Sequence, residues 1–129
     1  MSGATNTAQF NILLVEDEPV IRELVRSMLS DGEVTVESAS TGVEGLKLAR
    51  SQTFDLILLD VVLPQMDGIT LCRMLKSDPS TSMVPLYMLT AKAKKADVEA
   101  ATRAGADGYI HKPFRGAELM ELVERLRKR

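Results

Sequence analysis

Acidic side chains that end apolar runs are the first feature of this sequence that could do chemistry. Leu13-Leu14-Val15 runs into Glu16 and Asp17, and Leu56-Ile57-Leu58-Leu59 runs into Asp60. Thr90 ends a later run, and Lys112 follows another. Three carboxylates brought to one place repel each other unless a cation or protons intervene. A set of oxygen donors with few nitrogens or sulfurs suits a hard ion such as Mg2+, which keeps several waters. Such an ion, a lysine and a hydroxyl are the parts that stabilise a phosphoryl group in transfer. The carboxylate at the centre can itself be the nucleophile and give an acyl phosphate. Asp60 is the best candidate, because it ends the central buried strand, where its position is most tightly fixed.

These residues can meet only if the intervening chain folds into a sheet whose strand ends converge. Five short apolar runs, Phe10–Val15, Val34–Ser38, Asp55–Leu59, Val84–Leu89 and Gly108–His111, have the length of strands. Three show little polar alternation, which indicates a sheet covered on both faces and hence parallel strands with helical crossovers. Ile21, Leu24, Val25, Met28 and Leu29 form the apolar stripe of a first helix. Val43, Leu46 and Ala49 give a narrower second stripe, and Leu71, Met74 and Leu75 a third. The fourth helix, roughly 93–104, is mostly alanine, with Val98 as its only large apolar residue. Leu119, Leu122, Val123 and Leu126 mark the fifth. Pro19 suits a first helical turn, and Gly105 suits the cap after the fourth helix. The expected fold is α/β, a doubly wound five-stranded parallel sheet in a three-layer sandwich.

Ligands of such a sheet bind beyond the carboxyl ends of its strands. Strand two ends in Ser38-Ala39-Ser40 without a charge. A strand order of 2-1-3-4-5 explains this, since strand two is then the outer edge beside strand one.

Bulk properties narrow the field further. The 129 residues fit one domain, and 45% apolar with 26% charged residues is ordinary for a globular protein. A formal net charge of -2 speaks against general nucleic-acid binding. One cysteine, Cys72, cannot form an internal disulfide, and no apolar stretch is long enough to span a bilayer. The expectation is a cytoplasmic domain over residues 10–129 behind a disordered polar tail, residues 1–9, with no direct contact to nucleic acid or membrane.

The motifs together resemble a known family. Leu13-Leu14-Val15-Glu16-Asp17-Glu18, Asp55 to Asp60, Leu63-Pro64-Gln65-Met66-Asp67-Gly68, Leu89-Thr90-Ala91 and Gly105 to Phe114 stand in the order and spacing of the receiver domain of two-component response regulators. The resemblance covers about residues 10–128 and implies a flavodoxin/CheY-like fold. It implies that Asp60 is the phosphoacceptor, taking a phosphoryl group from a sensor histidine kinase or histidine phosphotransfer protein. Mg2+ would be bound by Asp17, Asp60 and the backbone carbonyl of Val62, with Glu16 acting through water. Lys112, Thr90 and the Ala91 N–H would hold phosphoryl oxygens. Tyr109 would switch rotamer with Thr90, and Pro113 would follow a cis peptide bond. The signal would leave through the face of helix four, strand five and helix five, to a downstream protein or a second copy of the chain.

Rival readings meet specific obstacles. An aspartyl-phosphate phosphatase needs a proton-transferring carboxylate two residues after the nucleophile, where this chain has Val62. The expectation is therefore that the chain is not a turnover enzyme. A flavin or nucleotide site after strand one would face Glu16 and Asp17, and no phosphate-binding glycine loop follows any strand. His111 alternates away from Lys112 and so should face away from the pocket, and Asp67-Gly68 is turn chemistry. A stand-alone receiver is the first expectation. The alternative is the N-terminal part of a longer regulator with a DNA-binding or enzymatic output domain.

Overall fold

Successive residues of the central strands serve opposite faces of the sheet, and this decides the architecture. The computed structural model describes residues 9–91 and 95–128. In it β1 (Phe10–Val15), β2 (Val34–Ala39), β3 (Leu56–Asp60), β4 (Leu86–Thr90) and β5 (Gly108–His111) form one parallel sheet in the order β2-β1-β3-β4-β5. Leu13, Val15, Ile57 and Leu59 pack to one side, with buried residues of α2 (Gly42–Ser51), α3 (Gly68–Ser77) and α4 (Lys95–Arg103). Ile12, Leu14, Leu56 and Leu58 pack to the other, with α1 (Pro19–Leu29) and α5 (Gly116–Arg127). Both faces of β1 and β3 are therefore apolar, as the uninterrupted runs require.

The helix stripes differ from expectation at two positions. Leu24 and Val43 are exposed at 39% and 40%. On α2 the contact is made instead by Gly42, Gly45, Leu46 and Ala49. A Cβ on Gly45 would lie 2.7 Å from a Val15 methyl, so the glycine lets the helix sit close and turns Val43 outward. On α3, Cys72 packs at 0% exposure beside Leu71 and Leu75, and the half-buried Met74 packs against the same core. β3 and β4 begin later than their apolar runs; Pro85, which has no N–H to give, precedes β4.

Helix ends follow the punctuation. Pro19 opens α1, and the Thr41 hydroxyl caps α2 by accepting from Glu44 N–H at 3.1 Å. Gly105 has φ 104°, and the bonds Gly105 N–H to Thr102 and Ala106 N–H to Ala101 close a Schellman turn after α4. Lys76 locks the same corner, donating to Ser82, Val84 and Asp107 at 3.2, 2.8 and 2.9 Å. Within α4 only Ala101 is buried, while Val98 is half-buried. Among the described residues no helix is long and apolar enough to cross a membrane. Apart from Gln9, the tail expected over 1–9 lies outside the described residues, as do Ala93 and Lys94 of the expected fourth helix.

Candidate functional site

Register alone brings the acidic residues together. Val15 of β1 stands opposite Leu59 of β3, so Glu16 and Asp60 leave the sheet as neighbours. Asp60 pairs with Leu89, Thr90 pairs with His111, and Lys112 follows at once. Carboxylate oxygens of Glu16, Asp17 and Asp60 lie within 4.8 Å of one another, the only such cluster found among the described residues. Glu16 and Asp60 are buried at 0% and 6% exposure, whereas Asp17 is exposed.

Each carboxylate has a distinct set of partners. Asp60 accepts from Val62 N–H at 3.2 Å on Oδ1 and from Lys112 Nζ at 3.3 Å on Oδ2. Glu16 accepts from Lys112 Nζ at 2.6 Å on Oε1 and from Glu18 N–H at 3.2 Å on Oε2. Its backbone is fixed too, with N–H donating to Ala39 at 2.9 Å and carbonyl accepting from Arg22 at 2.9 Å. Burial pushes the Glu16 carboxyl up to about 7; the Lys112 hydrogen bond pulls it back, and the Asp60 charge adds to the rise. Burial alone would lower the Lys112 ammonium, but Glu16 and Asp60 outweigh it and hold it above its ordinary value.

The loop after β3 is shaped to present Asp60. Gln65 has φ 70°, and Met66 N–H bonds back to Pro64 at 2.7 Å in a γ-turn of the strained hand. Asp67 caps α3 by accepting from Thr70 N–H at 2.8 Å, the turn role expected of it. Gly68 N–H donates to Val61 at 2.9 Å, and a Cβ on Gly68 would stand 2.0 Å from the Asp60 carbonyl oxygen. Glycine in a D-G pair signals a turn in sequence; nothing there signals that it abuts the backbone of the central acid.

The other expected residues are placed as follows. Val62 is 76% exposed at the rim. Thr90 ends β4, but its side chain lies outside the described part of the structure; Ala91 follows it on the surface. Tyr109 is 46% exposed beside a cleft lined by Val61, Met88, Asp97, Val98 and Ala101. His111 is exposed, and the Lys112-Pro113 bond is cis.

A sequence profile for the response regulator receiver domain matches residues 12–124. The chain belongs to that family. The transcriptional regulatory protein CseB of Streptomyces coelicolor is 40% identical over 121 residues, covering 94% of this chain and 50% of CseB. The DNA-binding dual master transcriptional regulator RpaA of a Synechocystis strain is 38% identical over 118 residues, covering 92% and 49%. The receiver therefore spans about half the length of these curated relatives. Among solved structures, the receiver domain of sensor histidine kinase PA1611 from Pseudomonas aeruginosa superposes with TM-score 0.86 at 34% identity, covering 94% of this chain and 99% of that one. That protein was crystallised with a magnesium ion coordinated in its active-site cleft. Three clustered carboxylates with an exposed Asp17 among them form an all-oxygen donor set, which fits the same ion in this receiver.

The raised Glu16 value makes a prediction for the metal-free receiver. Its ordinary value is 4.5, so between about pH 4.5 and 7 the folded state binds more protons than the unfolded chain. Stability must then fall as pH rises through that window. Glu16→Gln, which cannot ionise, should gain on the wild type across it, by on the order of 2–3 kcal/mol. Urea midpoints in EDTA, taken from about pH 5 to about pH 8, should diverge in favour of the variant; parallel curves would contradict the assignment.

Proposed function

We propose that this receiver takes a phosphoryl group onto Asp60 from a sensor histidine kinase or histidine phosphotransfer protein, and that this modification controls partner binding. The observation that carries the reading is a buried Asp60 at the end of the central strand, with a lysine ammonium over it and two more acids beside it. In the transfer an Asp60 carboxylate oxygen bonds to phosphorus while the bond from phosphorus to the donor imidazole nitrogen breaks. Mg2+, held by Asp17, Asp60 and the Val62 carbonyl, with Glu16 beside it, would offset charge on the phosphoryl oxygens. Lys112 would pair with one of those oxygens, and Thr90 with the Ala91 N–H would hold the others. With Val62 two residues after Asp60, no carboxylate stands there to drive turnover of phosphate esters, so the chain acts as a switch rather than an enzyme.

The output would leave through α4, β5 and α5, in a cytoplasmic setting. α4 buries only Ala101 and rests on a half-buried Val98, so moving it disturbs little packing. Thr90 and Tyr109 lie on the strands flanking it, giving a pocket event a route to that surface. A downstream protein or a second copy of the chain would select the phosphorylated packing. CseB and RpaA favour a second reading, in which this domain controls a longer transcriptional regulator; contact with DNA would then belong to an output domain.

Beryllofluoride with Mg2+ mimics the acyl phosphate and tests this reading. Amide shifts should appear in the pocket loops and extend through residues 95–128, and Thr90→Ala should shrink the distant shifts while the pocket still binds the mimic. Shifts confined to the loops around Asp60 would rule out the proposed output face.

A further inference from the structure

Resting on Asp60 as the phosphoacceptor, we propose that Glu16 is a positioning residue for Lys112, holding its ammonium over Asp60, rather than a ligand of the metal. The ammonium is nearer to Glu16, at 2.6 Å, than to Asp60, at 3.3 Å. Both Glu16 oxygens are already engaged by the chain's own donors, Lys112 Nζ and Glu18 N–H. The residue has no freedom to turn elsewhere, since Ala39 and Arg22 fix its backbone and its side chain is fully buried. Asp17 is the opposite case. It is exposed, and its carboxylate stands beside the other two.

Side-chain length is the physical reason for glutamate at this position. An aspartate would fall short by one carbon–carbon bond, about 1.5 Å. That would stretch the 2.6 Å contact past hydrogen-bonding range. Lys112 is itself 11% exposed, and a buried ammonium is costly unless paired. With Glu16 as its nearer partner, Lys112 stays charged inside the pocket without closing tightly on Asp60. Among the described residues the Asp60 carboxylate has one other contact, from Val62 N–H at 3.2 Å. A phosphoryl oxygen arriving on Asp60 would meet an ammonium already desolvated and in place.

Lysine ammonium NMR reads this arrangement directly. Lys112 should give a cross-peak protected from water exchange, assigned by its disappearance in Lys112→Met. Lys76, which donates to three acceptors at the opposite end of the sheet, should give a second one and serves as an internal fold control. Glu16→Asp should speed exchange at Lys112 by about tenfold or more and leave Lys76 unchanged. Asp60→Asn, which removes only the longer contact, should keep the Lys112 signal, and this holds the test open if Glu16→Asp folds poorly. In Mg2+ titrations followed by amide shifts, Asp17→Asn should weaken binding by about tenfold, and Glu16→Asp by less than about threefold. The proposal is overturned if the Lys112 signal survives Glu16→Asp, if it is lost in Asp60→Asn, or if Glu16→Asp weakens Mg2+ binding as much as Asp17→Asn. Failure of the wild type to take a phosphoryl group from acetyl phosphate would remove the phosphoacceptor reading separately. The ammonium signals would still decide which acid holds Lys112.

Discussion

Gly68→Ala should be among the most destabilising single-methyl additions available to this protein, costing about 3 kcal/mol or more. The added Cβ would stand 2.0 Å from the Asp60 carbonyl oxygen, 2.9 Å from its carbonyl carbon and 3.0 Å from the Val61 Cα. All three are backbone atoms, so no side-chain rotation relieves the clash. The chain must instead move α3 away or push the end of β3 out of register, and either shift carries Asp60 with it. The expected result is a large drop in the urea midpoint, together with loss of Mg2+ binding in whatever folded fraction remains. Gly32, around which a Cβ meets nothing within 4 Å, provides the control: Gly32→Ala should leave both readouts nearly unchanged.

Lys112→Met should have the second large effect. The substitution removes the only cation within hydrogen-bond distance of the Glu16 and Asp60 carboxylates among the described contacts, leaving these two buried groups and Asp17 without their paired charge. Removing one partner of a buried pair typically costs about 3–5 kcal/mol. The loss here should depend on pH in a definite sense. Glu16 already takes a proton at about 7, and without Lys112 it will take one more readily. Protonation relieves the repulsion, so the deficit should be largest above about pH 8 and shrink toward about pH 5. Added Mg2+ should also recover part of it. A deficit that did not vary with pH would show that packing of the lysine stem, rather than its charge, is what matters.

Much of this was legible in the chain because parallel α/β sheets separate their signals. Apolar residues fill the strands, as in Ile12–Val15 and Leu56–Leu59, so polar groups at their ends stand out. The uncharged end of β2 was enough to put that strand at the edge, where it lies. Helix faces were less legible. Periodicity put Leu24 and Val43 in the core, yet the approach of α2 to the sheet is set by Gly45, whose contribution is an absent side chain. The least legible features were those that depend on side-chain length across the fold. Glu16 and Lys112 are 96 residues apart, and nothing local to either indicates that a glutamate, and not an aspartate, reaches the ammonium. Gly68 reads as a turn residue for the same reason, because its contact with Asp60 appears only once α3 has packed against β3.

The account stands most directly on where a phosphoryl group goes. Acetyl phosphate can supply it without any kinase, the phosphorus–oxygen bond breaking as acetate leaves and an Asp60 oxygen takes its place. Intact-mass measurement of the receiver with acetyl phosphate and Mg2+ should show one added phosphoryl group. The addition should be absent in Asp60→Asn and in EDTA, and peptide mapping should place it on Asp60. Labelling that persisted in Asp60→Asn, or that was undiminished in EDTA, would contradict the assignment of Asp60 as a metal-assisted phosphoacceptor.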